Sequence, residues 1–432
     1  MEGPPVPYSR RPVPVPPPAD GRPAGSAGRA VPPSRATRWR ILIVTALVPV
    51  LLAALTTVQL VRPVPDPVVR LTASAAHTFE GAAPVLPWPA GGQAAVDVEG
   101  LGAMGSSGGS VSTPTASVAK VMTAYVFLRG HPLAAGADGP TYTISPAEAA
   151  QLPARKARGE SHIDVVANQS FTEREALEAL MIVSANNIAH EMARWDTGGL
   201  APFVRKMNAA ARSLGMTATT YTDPSGFDPG TVSTAADQVK LLRAAMRIPA
   251  FAEVVGERVY VPSDGGLART GGNTLLGQGG VIGGKTGFTS AAGGNYVFAA
   301  RRRVGGVHTL IVGAVMGQPA ITSAASAVEA GRGLITAAGD ALTAATLARP
   351  GDRVAVVDDG LGGRTPLVAS APVTVIGWPG LTVRLRLDGV VPRPAAEGDR
   401  LGSLTAGARR FPLVLGGPLD GPSVEHRLLR LP

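Results

Sequence analysis

Cysteine is absent from the 432-residue sequence, which excludes disulfide bonds and thiolate ligands for a metal. Aromatic residues make up only 4% of the chain and its arginines are dispersed, so the net charge of +9 does not indicate nucleic-acid binding. His162, His190 and His308 lack metal-ligand spacing, and neither a metal nor another cofactor is predicted. Stability must come from packing, and a hydrophobic fraction of 45% can supply a full-sized core.

Lysine is also scarce, since it occurs at only five positions whereas arginine occurs at 35. Arginine stays protonated in proteins, but a lysine can lose its proton when burial or a nearby cation lowers its pKa. A lysine beside a potential nucleophile therefore indicates a need for a removable proton.

Charged residues are missing from residues 41–61, a run of 21 residues that matches the roughly 30 Å hydrocarbon layer of a membrane. Arginines are more frequent before this run than after it, which predicts a single-pass anchor in the cell membrane, a cytoplasmic N-terminus and an extracytoplasmic body. The small residues 73–75 are typical of a signal-peptidase site but lie far beyond the apolar run. An uncleaved anchor is favoured over a cleaved signal peptide.

Composition divides the rest of the chain into four parts. Residues 1–40, rich in proline, glycine and arginine, are predicted to be a disordered cytoplasmic tail, and residues 62–85 a proline-punctuated stalk. Residues 86–345 mix helical and strand periods, which predicts an α/β (α+β) domain with an antiparallel sheet flanked by helices. Residues 346–432 contain short strand-like runs separated by glycine and proline, which predicts a small all-β domain without a catalytic constellation.

The first candidate motif pairs Ser117 with Lys120 at the start of an apolar helix predicted over residues 115–128. Residues three apart lie on one face of a helix, so the two side chains can meet. A serine hydroxyl is a poor nucleophile without a base, and a lysine of lowered pKa can serve as one. Taken alone, such a pair is more often an exposed serine and a solvated lysine.

The second motif is Ser184-Ala185-Asn186, which follows a helical run. A break in the helix there would present both polar side chains to a cleft. An ordinary helix cap is the alternative.

The third motif is Lys285-Thr286-Gly287, in a strand predicted from Val281 to Phe288. A strand flanked by glycines allows another backbone to approach, so a peptide substrate could pair with it. A lysine and a hydroxyl beside that strand suit a substrate carboxylate. An exposed edge strand protected by its lysine is the alternative.

Together and in this order, the three motifs resemble those of the penicillin-binding serine D-alanyl-D-alanine carboxypeptidases, a peptidase S11-like family within the serine β-lactamase and penicillin-binding protein superfamily. The likeness covers roughly residues 90–320 and includes the stretch 222–227. It implies a β-lactamase/transpeptidase-like fold. It also implies removal of the terminal D-alanine from peptidoglycan stem peptides, with β-lactams as inhibitors.

The resemblance further implies catalytic roles for three side chains. Ser117 would be the nucleophile that becomes acylated, and Lys120 the base that takes its proton. Ser184 would relay a proton to the departing amine.

By the same resemblance, four residues besides the catalytic ones would bind the substrate. Asn186 would hold the substrate amide, and Lys285 with Thr286 would bind the terminal carboxylate. The backbone N–H groups of Phe288 and Ser117 would form the oxyanion hole.

Two departures from the family pattern are evident. Asn187 stands where many members carry an acidic residue, and residues 424–432 are too few for the C-terminal amphipathic helix that anchors many of them. A β-lactamase is a rival prediction, but residues 217–229 contain only Asp223 and Asp228 as acids, without a Glu-x-x-Asn pattern. A non-catalytic wall-binding or β-lactam-sensing protein is a further alternative.

Overall fold

The computed structural model describes residues 34–72, 74–320, 322–389, 394–421 and 423–429. These residues belong to two compact units. One consists of the residues up to 63 and those from 423 onward, and the other of residues 64–422.

The described residues contain α-helices, β-strands and one 3₁₀ turn at Ala116–Ala119. The helices are α1 Arg35–Val61, α2 Lys120–Gly130, α3 Pro146–Ala157, α4 Glu173–Met181, α5 Asn186–Thr197, α6 Leu200–Ser213, α7 Ala235–Ala245, α8 Pro249–Val254, α9 Ala325–Ala341 and α10 Val424–Leu428. The strands are β1 Val68–Leu71, β2 Ala76–Thr78, β3 Gln93–Val98, β4 Gly102–Ser107, β5 Thr113–Pro114, β6 Thr141–Thr143, β7 Ser170–Thr172, β8 Val232–Ser233, β9 Val259–Tyr260, β10 Arg269–Thr270, β11 Val281–Thr289, β12 Gly293–Val304, β13 Val307–Gln318, β14 Thr343–Ala348, β15 Arg353–Asp358, β16 Arg364–Ala369, β17 Val373–Gly377, β18 Thr382–Asp388, β19 Arg400–Ala406 and β20 Arg409–Leu415.

Helix α1 contains the predicted membrane span and begins before it. Its start at Arg35 is fixed by Ser34, whose hydroxyl accepts a hydrogen bond from the Thr37 backbone N–H. Among the described residues it is the one helix whose length and apolar composition suit a membrane crossing. The predicted disordered tail therefore ends earlier than residue 40, and most of it, residues 1–33, lies outside the described residues.

A five-stranded antiparallel sheet is the centre of the second unit, in the order β11-β12-β13-β3-β4. Its side chains alternate between two buried faces, as the pleat of a strand requires. Tyr296 and Phe298 of β12 pack in a cluster with α9, whereas Val297 and Ala299 pack with the helices of the opposite face. The predicted class, helices around an antiparallel sheet followed by a β-rich region, is confirmed.

Helix α2 passes through the interior of the helical layer, and every residue from Lys120 to Leu128 is buried. Such a helix needs apolar residues on all sides, which its sequence supplies except at Lys120 and Thr123. A lysine at the first position of this helix is therefore withdrawn from water by the fold itself.

The segment predicted as a stalk, residues 62–85, instead contributes strands to the C-terminal β-region. A seven-stranded sheet has the order β1-β15-β16-β20-β19-β18-β2, so both β1 and β2 pair with later strands. Val69 and Leu71 alternate with exposed neighbours and pack against the core of this region. The alternation in β1 extends over only four residues and directly follows prolines that end at Pro67. So short a pattern beside prolines did not indicate a strand.

Candidate active site

Ser117 lies in the 3₁₀ turn that leads into α2, slightly before the predicted helix becomes regular. Strand β11 runs directly against this turn. A Cβ atom on Gly287 would lie 2.8 Å from the Ser117 backbone nitrogen and 3.0 Å from that of Val118, so glycine alone permits the approach. The third motif is therefore in contact with the first.

Lys120 is the side chain around which the site is built. It is fully buried, with 0% exposure. Its Nζ lies 2.9 Å from Ser117 Oγ, 2.6 Å from Asn186 Oδ1 and 2.8 Å from the Ser225 carbonyl oxygen. The first two motifs thus meet at one amine.

Burial, followed by repulsion from Lys285, holds the pKa of Lys120 well below its usual range, and the carboxylates of Asp223 and Glu160 oppose this shift. A neutral amine has two hydrogens and one lone pair. The Asn186 and Ser225 oxygens only accept hydrogen bonds, so they take the two hydrogens. The lone pair is then left for the proton of Ser117, which is the arrangement that a general base requires.

The loop at residues 222–231 supplies the Ser225 carbonyl. Asp223 organises this loop: its carboxylate accepts hydrogen bonds from the Ser225 and Phe227 backbone nitrogens, both at 3.1 Å, and from the Thr231 hydroxyl at 2.6 Å. The sequence of residues 222–227 resembles the family, but only the fold reveals that the Ser225 carbonyl contacts Lys120.

Ser184 lies between α4 and α5, where a helix break was predicted, and Asn186 is the first residue of α5; Ser184 lines the cavity, whereas Asn186 is buried. Ser184 has φ +67°, and its Oγ is buried without a hydrogen-bond partner among the described residues. Three described non-glycine residues have positive φ, and Ala116 and Ser184 are two of them, so strain is concentrated at the site. Strain and an unpaired buried hydroxyl are both typical of functional positions.

Asn186 has contacts inside the protein that the sequence did not predict. Its side-chain Oδ1 contacts Lys120 and its Nδ2 donates to Glu160 Oε2 at 2.9 Å, so both ends of the amide are engaged inside the protein. The residue is only 3% exposed. Asn186 therefore supports the lysine, and its Nδ2 carries a second hydrogen that the bond to Glu160 does not use.

Lys285 is also buried, at 3% exposure, and donates one hydrogen bond, of 2.9 Å, to the Thr286 carbonyl oxygen. Burial lowers the pKa of Lys285 to about 7. A bound anion would restore its charge. Lys285 and Thr286 thus have the chemistry of a carboxylate-binding pair.

A cavity of about 770 Å³ brings the predicted residues to one surface. Lys120 and Asn186 are buried and do not line it; Lys120 contacts Ser117, and Asn186 contacts Lys120. The predicted residues that line the cavity are Ser117, Ser184, Lys285, Thr286 and Phe288.

Sequence reasoning missed a group of buried charges behind Asn186. Glu160 accepts from Asn186 and from Arg155 Nη1 at 2.8 Å, and also from Arg158 Nε at 2.9 Å. Arg155 is held in turn by both oxygens of Glu148. The spacing of glutamate and arginine in the sequence could suggest an ion pair. The sequence contains no signal that Glu160 contacts Asn186, at the start of α5.

The departure at Asn187 has a local explanation. Its Nδ2 donates to the Ile163 carbonyl oxygen at 2.8 Å and its Oδ1 accepts from the Ile163 N–H, so it completes a backbone pairing. An aspartate could not donate the first bond. Within the described residues no three histidine, aspartate or glutamate side chains are grouped so as to hold a metal ion.

Comparison with known proteins agrees with this geometry. Residues 105–319 match the family model of peptidase S11, D-alanyl-D-alanine carboxypeptidase. A stretch of 146 residues is 43% identical to D-alanyl-D-alanine carboxypeptidase DacB2 of Mycobacterium tuberculosis and covers 32% of this chain and 50% of that protein. The chain spans half or less of the length of the curated relatives it matches.

Solved structures extend the likeness over more of the chain. A penicillin-binding protein homologue from Mycobacterium tuberculosis is 30% identical with a TM-score of 0.50, covering 60% of this chain and 95% of that one. Penicillin-binding protein 5 from Haemophilus influenzae shares the fold at 18% identity, with a TM-score of 0.55 and coverage of 79% and 100% respectively. The chain belongs to the peptidase S11 family of D-alanyl-D-alanine carboxypeptidases.

Proposed function

We propose that this protein is a membrane-anchored serine D-alanyl-D-alanine carboxypeptidase that trims the terminal D-alanine from peptidoglycan stem peptides. The observation that carries the proposal is the 2.9 Å separation between Ser117 Oγ and a buried Lys120 amine whose other two neighbours are fixed acceptors. Few structural roles require a lysine to be buried, uncharged and directed at a hydroxyl.

The acylation step begins when neutral Lys120 removes the proton of Ser117. The serine oxygen attacks the carbonyl carbon of the peptide bond between the two terminal D-alanines. The backbone N–H groups of Ser117 and Phe288 stabilise the oxyanion, each contributing about 3 kcal/mol by general precedent. Close contact between β11 and the serine turn supports this pairing of donors.

Collapse of the tetrahedral intermediate breaks the peptide bond and releases D-alanine. Ser184 passes the proton taken by Lys120 to the leaving amine, for which its strained backbone and unpaired hydroxyl provide support. Water then attacks the acyl-enzyme, the ester bond breaks, and Ser117 regains its proton.

Substrate binding depends on Lys285 and Thr286 at the cavity surface. The terminal carboxylate of the peptide pairs with the Lys285 ammonium and accepts a hydrogen bond from the Thr286 hydroxyl. Asn186 positions Lys120 through its Oδ1, and the second hydrogen of its Nδ2, which the bond to Glu160 does not use, holds the substrate amide.

Rapid deacylation, which a β-lactamase needs, is not favoured by the acids near the cavity. Glu329 is the one acidic residue among the described residues that line it, and Glu329 pairs with Arg332 at 3.1 Å. Asp223 is occupied by its own loop. A β-lactam therefore acylates Ser117 and leaves slowly, which makes it an inhibitor.

The membrane topology belongs to the proposal as well. Helix α1 is the anchor, and the excess of arginine before it favours a cytoplasmic N-terminus with the catalytic unit outside. Because the natural sequence contains no cysteine, the orientation can be tested with single introduced cysteines and no other thiol in the protein reacts. A membrane-impermeant maleimide added to intact cells is expected to label Ser74→Cys and not Ala19→Cys, and the reverse pattern would refute the orientation.

The activity is tested by the release of D-alanine from a diacyl-Lys-D-Ala-D-Ala peptide, alongside the turnover of a chromogenic β-lactam. Wild-type protein should release D-alanine, and Ser117→Ala should release none. Fast β-lactam turnover without D-alanine would favour the β-lactamase alternative. A folded protein that forms neither product would favour the non-catalytic binder.

A further inference from the structure

The carboxylate of Glu160 is enclosed by donors behind the site. Its side chain is 2% exposed. One oxygen accepts from Asn186 Nδ2 and Arg155 Nη1, at 2.9 and 2.8 Å, and the other accepts twice from Arg158. A carboxylate that is held in this way has neither freedom to move nor an unsatisfied lone pair.

This enclosure determines which way the Asn186 amide faces. An ionised carboxylate only accepts hydrogen bonds, so the NH₂ end of Asn186 must point to Glu160. The oxygen end is thereby directed to Lys120 Nζ, 2.6 Å away. A reversed amide would place its oxygen against the Glu160 carboxylate, acceptor against acceptor.

Glu160 also carries a buried negative charge that acts on Lys120. Burial alone would raise its pKa, but the hydrogen bonds from Asn186, Arg158 and Arg155 outweigh burial and lower it, so Glu160 is ionised. Its negative charge, with that of Asp223, raises the pKa of Lys120 against the opposing effects of burial, Lys285 and Arg155.

We infer that Glu160 is a positioning residue that acts through Asn186 to aim the lone pair of Lys120 at Ser117 and to set the pH at which this base becomes active. The inference rests on the proposed acylation of Ser117. The Glu160 side chain makes two contributions. Its oxygen accepts a hydrogen bond that orients the Asn186 amide, and its negative charge raises the pKa of the Lys120 amine.

Two substitutions distinguish these contributions. Glu160→Gln keeps an oxygen for Asn186, since its NH₂ group can face Arg158, whose side chain is 48% exposed and can move aside. Only the charge is lost. Glu160→Ala removes both the charge and the acceptor, so the Asn186 amide is free to reverse.

A matched control is available on α5. Glu191 is likewise 2% exposed, and its hydrogen bonds and ion pair among the described residues go to Ser145 and Arg194 and not to Lys120, Asn186 or Ser117. Glu191→Gln and Glu191→Ala therefore report the cost of disturbing a buried carboxylate as such.

The experiment measures the rate constant of acylation by a fluorescent penicillin as a function of pH, with thermal melting to confirm folding. Glu160→Gln should retain most of the plateau rate, while the acid limb of its profile moves to lower pH because loss of the negative charge lowers the pKa of Lys120. Glu160→Ala should show the same shift of the limb and a plateau about 100-fold lower, the loss expected when a catalytic group is misplaced by about 1 Å. The Glu191 variants should keep the wild-type profile.

An acid limb that stays at its wild-type position in Glu160→Gln overturns the inference. So does a Glu160→Ala plateau equal to that of Glu160→Gln. If Glu160→Ala does not fold, the comparison of Glu160→Gln with Glu191→Gln still decides the matter. Failure of the wild-type protein itself to form an adduct at Ser117 would count against the proposed function instead.

Discussion

The two buried lysines of the site differ in their partners more than in their burial. Lys120, on the helix side of the site, has three neighbours within 2.9 Å, two of which are fixed acceptors. Lys285, on the strand side, has one hydrogen-bond partner among the described residues, the adjacent carbonyl of Thr286. Burial lowers the pKa of each.

The difference in partners fits the two functions proposed for these buried lysines. Fixed acceptors use up the hydrogens of Lys120 and leave its lone pair for a proton. The hydrogens of Lys285 remain available to an anion. Backbone strain in non-glycine residues, at Ala116 and Ser184, also occurs on the helix side.

Exchange of lysine for arginine should give the largest contrast between the two positions. Arginine cannot release its proton, so Lys120→Arg should lower the acylation rate by about 10³-fold or more. Lys285→Arg keeps the positive charge and should lose far less, chiefly as a higher KM. Rapid-quench acylation by penicillin measures both. Equal losses at the two positions would contradict the assignment of a base and an anion-binding cation.

The pH dependence of D-alanine release should report both lysines. Activity requires Lys120 without its proton and Lys285 with one, so kcat/KM should fall on both sides of an optimum. The alkaline limb should lie near pH 7, because the pKa of Lys285 is about 7 and the ammonium is lost above it. Acylation by an uncharged ester lacking the carboxylate should not show the alkaline limb. A limb that persists with this ester would assign it to another group.

Ser184 offers the smallest effect, on stability rather than rate. Ser184→Ala removes a buried hydroxyl that has no partner among the described residues, and should raise the free energy of unfolding by about 1 kcal/mol while slowing D-alanine release. Ser145→Ala is the control: its hydroxyl caps α3 and bonds Glu191, so its loss should lower stability by about 1 kcal/mol. Thermal and urea unfolding measure both. Destabilisation by Ser184→Ala would mean that its hydroxyl is satisfied in solution.

The sequence predicted the parts of the site that depend on local spacing. Ser117 and Lys120 meet because three residues along a helical turn bring side chains together, and the predicted break after α4 places Ser184 at the cavity. The predicted strand around Lys285 is confirmed within β11.

What the sequence could not provide are contacts between distant segments. The Ser225 carbonyl and the Glu160 carboxylate reach Lys120 and Asn186 only through the folded chain, and the contact of Asn186 with Glu160 was not predicted. Similarly, β1 was unrecognised because its partner β15 lies far along the chain. Helical periodicity is visible locally, whereas the pairing of strands is a tertiary property.

The central claim, that Lys120 activates Ser117, is tested most directly by mass spectrometry after penicillin exposure. The wild-type protein should carry one adduct, on the peptide that contains Ser117, and Lys120→Ala should acquire it far more slowly. An adduct elsewhere, or equally fast labelling of Lys120→Ala, would contradict the claim.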